Sequence, residues 1–139
     1  MTHLKVSSAD LPGRPERVSG VTTARERALL MSLVSVGAVL GSLARWGLGE
    51  AAPGLATTLA VNVTGSFALG LLVALRPAGR WSRPFLGTGV LGGFTTFSTF
   101  AVQAVDAALP TAALYVAGTL VLGVGAAAAG LRAGRQLAR

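Results

Sequence analysis

The fold class this sequence predicts is an all-α membrane protein of four transmembrane helices, the third broken at mid-membrane. Three observations predict it. Of 139 residues, 52% are hydrophobic and only 12% charged, a membrane composition rather than that of a soluble domain. Three uncharged runs, 55–75, 85–105 and 111–131, and a fourth, 28–48, with Arg45 as its one charge, are each 21 residues long. As helices each measures roughly 31 Å, enough for a hydrocarbon core of about 30 Å. The third run carries Gly92-Gly93-Phe94-Thr95-Thr96-Phe97-Ser98-Thr99-Phe100 at its middle. Adjacent glycines and a Thr-Thr pair disfavour a continuous helix. Lipid cannot satisfy the main-chain groups that a break exposes, so they must face protein, water or an ion.

The net charge of +7 does not point to nucleic acid, because all of the 12 Lys and Arg except Arg45 avoid the spans. Five precede the first span, three (Arg76, Arg80, Arg83) separate the second from the third, and three (Arg132, Arg135, Arg139) follow the fourth. The other two connections have none, which by the positive-inside rule places both termini in the cytoplasm. There are no cysteines, hence no disulfide or thiolate metal site. His3, alone in a polar stretch, reads as a solvated residue.

Residues 1–27 are polar and read as a disordered cytoplasmic tail. A cleaved signal peptide fits poorly, since the apolar run is too long and three more follow. In the first span Gly37 and Gly41 form a small-xxx-small pair that allows close helix approach. Arg45 follows one turn on, either as a snorkelling side chain or as a positive charge that concentrates anions at a pore mouth. Trp46 and Trp81 suit the interface belt. In the second span Thr58, Asn62 and Ser66 share one stripe. The Asn62 amide reads as glue between helices or as an anion donor with two N–H groups.

The third span is expected to break between a first half ending near Leu91 and a second half starting near Thr95 or Thr96. Carbonyls at such a break favour a cation, and the amino end of the second half favours an anion. Phe97 and Phe100 lie one turn apart, with Ser98 and Thr99 beside them. The spacing alone suggests packing; the positive ring edges together with hydroxyls suggest a path for a small anion. In the fourth span Tyr115, Thr119 and Gly123 form one stripe on a helix rich in glycine and alanine, suited to close packing. Residues 133–139 read as a basic C-terminal tail, leaving 28–132 as one membrane domain.

Assembled in this order, the pieces resemble the Fluc (CrcB) family of fluoride channels. Gly92 to Phe100 carries most of the resemblance, supported by Gly37-Ala38 through Arg45 and by Val61-Asn62-Val63-Thr64-Gly65-Ser66-Phe67. The resemblance implies a fluoride-selective channel in the cell membrane that passively exports the ion. It also implies an antiparallel dimer with two pores and one central Na⁺, structural and not transported. Carried over by motif, the Na⁺ falls to the carbonyls of Gly92 and Thr95, and the pore positions to Asn62, Phe97 and Phe100. A hydroxyl track would comprise Ser98, Thr99, Tyr115 and Thr119, and the first-span arginine is Arg45. Where the family often carries a glutamate, this chain has Gln103.

An antiparallel homodimer requires one sequence that inserts both ways. Eleven Lys and Arg on one side against none on the other should fix a single orientation. The expectation is therefore a heterodimer with a related subunit of opposite bias, with a homodimer as the alternative. Two other functions compete. A small proton-coupled exporter needs a titratable carboxylate in the membrane, but Asp106 lies at a span end and Glu50 in a connection. A non-conducting assembly protein would explain the small residues but not a polar stripe beside a broken span. No nucleophile–base pair or phosphate-binding loop suggests an enzyme.

Overall fold

The computed structural model describes residues 23–75 and 79–139. The expected tail through residue 22, with His3, and Arg76 and Pro77 of the second connection lie outside the described residues. Four helical spans of sufficient length and apolarity to cross a membrane follow one another, Ala24–Ala51, Leu55–Leu75, Pro84–Asp106 and Leu109–Leu137. The first, α1 (Ala24–Ala51), starts four residues before its apolar run because Thr23 caps it. The Thr23 hydroxyl accepts from the Glu26 amide at 3.2 Å, and Glu26 returns the bond to the Thr23 amide at 3.0 Å. Helix α2 (Leu55–Leu75) coincides with its apolar run. It follows a connection turned at Gly54, whose φ of 135° disfavours any side chain.

The third span divides. Its first half, α3, is a wide π-type coil over Pro84–Leu91 continued by a turn of α-helix at Gly92–Phe94. The Gly92 amide reaches back to the Gly87 carbonyl, five residues away. Thr95 is then extended, with ψ 157°, and the second half, α4, runs Ser98–Asp106. The break therefore falls at 95–97, after the glycines rather than on them. The reason is packing. A Cβ on Gly93 would lie 2.9 Å from the Ala38 Cα, and one on Gly41 2.7 Å from the Phe94 nitrogen. These glycines stay helical because contact between α1 and α3 requires their bare backbone.

Helix α5 (Leu109–Leu137) runs six residues past its apolar run, so most of the expected basic tail is helical. Beyond the hydrocarbon, good helix formers and the basic Arg135 in the last turn sustain the helix. Helix α2 packs along α5, and α1 along α3. Among the described residues only two large hydrophobic side chains are buried, Val61 and Tyr115. The bundle thus lacks the interior of a soluble protein, as expected where lipid supplies the apolar surroundings. At the end holding the described terminus of α1, Arg80 pairs with Glu26 at 2.7 Å and lies 5.1 Å over the Trp81 ring.

Candidate functional site

The break exposes main-chain groups at the centre of the bundle, and side chains from both flanking pairs of helices claim them. Asn62 on α2 grips Thr96 on both sides. Its Nδ2 donates to the Thr96 carbonyl at 3.0 Å, and its Oδ1 accepts from the Thr96 amide at 2.8 Å. From α1, Ser42 Oγ and Arg45 Nε donate to the Gly93 carbonyl at 3.4 and 3.3 Å. The positive guanidinium thus meets the carbonyl end of α3, where the helix dipole favours it. At the start of α4 the Thr96 hydroxyl accepts from the Thr99 amide at 3.2 Å, as an N-cap does.

These bonds have a consequence for two neighbouring oxygens. In a continuous helix the Thr96 amide would bond to the Gly92 carbonyl and the Thr99 amide to the Thr95 carbonyl. Both amides are taken elsewhere, by Asn62 Oδ1 and by Thr96 Oγ1. The Gly92 and Thr95 carbonyls are left without their helical donors. Among the described residues there is no cluster of three His, Asp or Glu side chains. Main-chain oxygens of this kind could hold a hard cation.

Two cavities meet at the break. One, of about 430 Å³, opens between α2, α3 and α5 and is lined by Asn62, Ser66, Gly92, Thr95, Phe97, Phe100 and Thr119 among others. The second, about 270 Å³, lies toward the α1–α2 connection and includes Arg45, Glu50, Thr57, Thr58, Thr99 and Gln103. Thr96 lines both. The residue that Asn62 holds is thus the partition between them.

Of the residues expected on an anion path, Asn62, Phe97, Phe100 and Thr119 line the larger cavity, and Arg45 and Thr99 the smaller. Ser98 and Tyr115 line neither. The Phe97 ring, 80% exposed, sits 5.9 Å from Phe100, which is 5.2 Å from Tyr115, all three tilted. The hydroxyls are largely occupied with one another and with the main chain. Thr119 donates to the Tyr115 carbonyl at 2.7 Å, Tyr115 to Gln103 Oε1 at 2.9 Å, and Thr96 to Thr99 at 3.1 Å. Ser98 lies 3.3 Å from the Thr96 hydroxyl. The Asn62 amide has two N–H groups, and one of them goes to the Thr96 carbonyl, which bears out the reading of Asn62 as glue between helices.

Sequence reasoning missed Ser42 and the roles of Thr96. Ser42 sits three residues before Arg45 and so on its face, and threonine ahead of a helix is a usual N-cap. Those signals were present. The pairing of Thr96 with Asn62, 34 residues away, had none.

A membrane bundle with a broken third span, gripped by an asparagine and an arginine from its neighbours, describes a class of small transmembrane proteins. The chain belongs to the CrcB family: residues 32–131 match the family described as "CrcB-like protein, Camphor Resistance (CrcB)". It is 50% identical to a "Fluoride-specific ion channel FluC 1" of Rhodococcus jostii (strain RHA1), covering 76% of this chain and 86% of the relative. It is 45% identical to the "Fluoride-specific ion channel FluC" of Paracoccus denitrificans, covering 75% and 93%, and 44% identical to that of Agrobacterium fabrum, covering 77% and 97%.

Proposed function

We propose that this protein is a fluoride-selective channel, through which the anion leaves the cytoplasm down its gradient. The observation that carries the reading is the Asn62–Thr96 partition. It sets the Asn62 amide and the Thr96 hydroxyl at the boundary of two cavities, in a chain whose relatives are named fluoride-specific ion channels. Fluoride holds its water tightly, and a pore must replace that water with closely spaced donors. Within the apolar runs only Arg45 is charged, and its Nε is already bonded to the Gly93 carbonyl. Discrimination therefore rests on narrowness and donor placement.

The Gly92 and Thr95 carbonyls, deprived of helical donors, would hold a structural Na⁺. When bound, the ion supplies positive charge that offsets the carbonyl end of α3 and keeps the break from closing. The exposed Phe97 and the open 430 Å³ cavity support a second subunit covering that face, and the family resemblance implies that it is antiparallel. The charge asymmetry of the connections favours a related chain of opposite bias as that subunit, with termini of this chain cytoplasmic. The protein acts in the cell membrane as a conduit and performs no chemistry on its cargo.

Reconstitution into liposomes loaded with fluoride, read with a fluoride electrode, tests the function. The chain alone and together with its opposite-bias relative should be compared. Efflux of fluoride with little chloride is expected in at least one arm; no fluoride efflux in either would overturn the proposal.

A further inference from the structure

We infer that the end of the bundle where α2 and α5 finish holds an anionic phospholipid, its headgroup phosphate on Arg135 and an acyl chain in a groove between the two helices. The inference concerns the membrane around the bundle and stands apart from the identity of the cargo. The groove follows from how closely α2 and α5 pack. A Cβ on Gly130 would lie 3.0 Å from the Leu71 nitrogen, and one on Gly134 2.9 Å from the Leu71 carbonyl oxygen. Bare backbone makes that contact, and the neighbouring stripe of α5 lines a cavity beside it. This stripe holds Leu131, Arg135 and, just past the helix, Ala138, at i, i+4 and i+7. Val73 and Ala74 of α2 form the opposite wall. The space measures about 360 Å³, within the range of about 300–1,000 Å³ usual for ligand pockets.

The walls change character with depth. Leu131 and Val73 belong to the uncharged runs 111–131 and 55–75, and Val73 is 45% exposed, which leaves the groove open from the hydrocarbon side. Arg135 stands about one turn beyond its run, roughly 6 Å further along the axis, where hydrocarbon gives way to headgroups. An amphiphile matches that order, with its tail on Leu131 and Val73 and its phosphate on the guanidinium, which can bind two oxygens at once. Charge selects the headgroup. Arg132, Arg135 and Arg139, at i, i+3 and i+7, share one exposed face. Among the described residues none of the three is paired with a carboxylate. Glu26, the one described carboxylate at this end, is taken by Arg80 at 2.7 Å, and Glu50 and Asp106 lie at the opposite end of the spans. A zwitterionic headgroup would bring its own cation against this stripe; an anionic one brings none.

Native mass spectrometry of the full chain in a neutral detergent tests this, with phosphatidylglycerol and phosphatidylcholine of equal chain length supplied in equal amounts. The unaltered protein should retain phosphatidylglycerol about fivefold or more over phosphatidylcholine, the worth of one arginine at an anionic surface. Arg135→Gln should bring that ratio to about one, and Arg135→Lys, which keeps the charge, should preserve most of it. Arg83→Gln removes an exposed arginine at the same end but outside the groove, and should leave the ratio unchanged. Each variant is first matched to the unaltered protein by gel filtration. Equal retention of the two lipids by the unaltered protein would overturn the site. So would a loss in R83Q as large as in R135Q, because the attraction would then be diffuse surface charge. Inorganic phosphate at the lipid's own concentration should not displace it; displacement would make the free anion, not a lipid, the ligand. A dimer that retains no lipid would give the groove to a second copy and overturn the inference as well.

Discussion

Replacing Asn62 with leucine removes both bonds to Thr96 while keeping roughly the same volume. Thr96 is 9% exposed. Two main-chain groups then lose their partners, each at a cost of about 1–3 kcal/mol when buried. Part of this returns if the helix closes and the Thr96 amide bonds to the Gly92 carbonyl, for a net loss of about 3 kcal/mol. That is on the order of a hundredfold in the folding equilibrium. Closure also removes the free Gly92 oxygen and the partition. Asn62→Leu should therefore lower the denaturant midpoint in detergent and reduce fluoride efflux to the background of empty liposomes. Hydrogen exchange at the Thr96 amide supplies a local readout. If N62L keeps the unaltered midpoint and flux, the claim that Asn62 holds the break open is wrong.

Other perturbations act on neighbouring parts. Gly41→Ala puts a methyl 2.7 Å from the Phe94 nitrogen, and overpacking of this kind costs about 1–3 kcal/mol, read as a lowered unfolding midpoint. Arg45→Met strips a charge-assisted bond from the Gly93 carbonyl and should cost about 1.5–3 kcal/mol, with flux reduced in parallel. Exchange of Na⁺ for a large organic cation should destabilise the protein and slow efflux, both reversibly; indifference to the exchange would remove the Gly92–Thr95 cation site. A reporter fused to the C-terminus should be found in the cytoplasm only, whereas equal populations on both sides would favour the homodimer.

Physical chemistry divides what the linear order of residues decides from what folding decides. The four spans follow from uninterrupted apolar length, because a bilayer of fixed thickness turns run length into a direct measurement; α2 at Leu55–Leu75 matches its run residue for residue. The existence of a break was legible in the glycines and the Thr-Thr pair. Its position was not. Gly93 lacks helix propensity, yet contact with Ala38 keeps it helical, and the chain opens at Thr95–Phe97, where Asn62 captures an amide from a different helix. Residue types at Asn62, Phe97, Phe100 and Thr99 suggested donors and ring edges, since side-chain chemistry is local. Which proton goes to which oxygen belongs to the tertiary structure alone: Tyr115 gives its only proton to Gln103, and Arg45 meets the Gly93 carbonyl. A hydrogen bond between helices depends on how those helices sit against one another, and the order of residues along one chain does not contain that geometry.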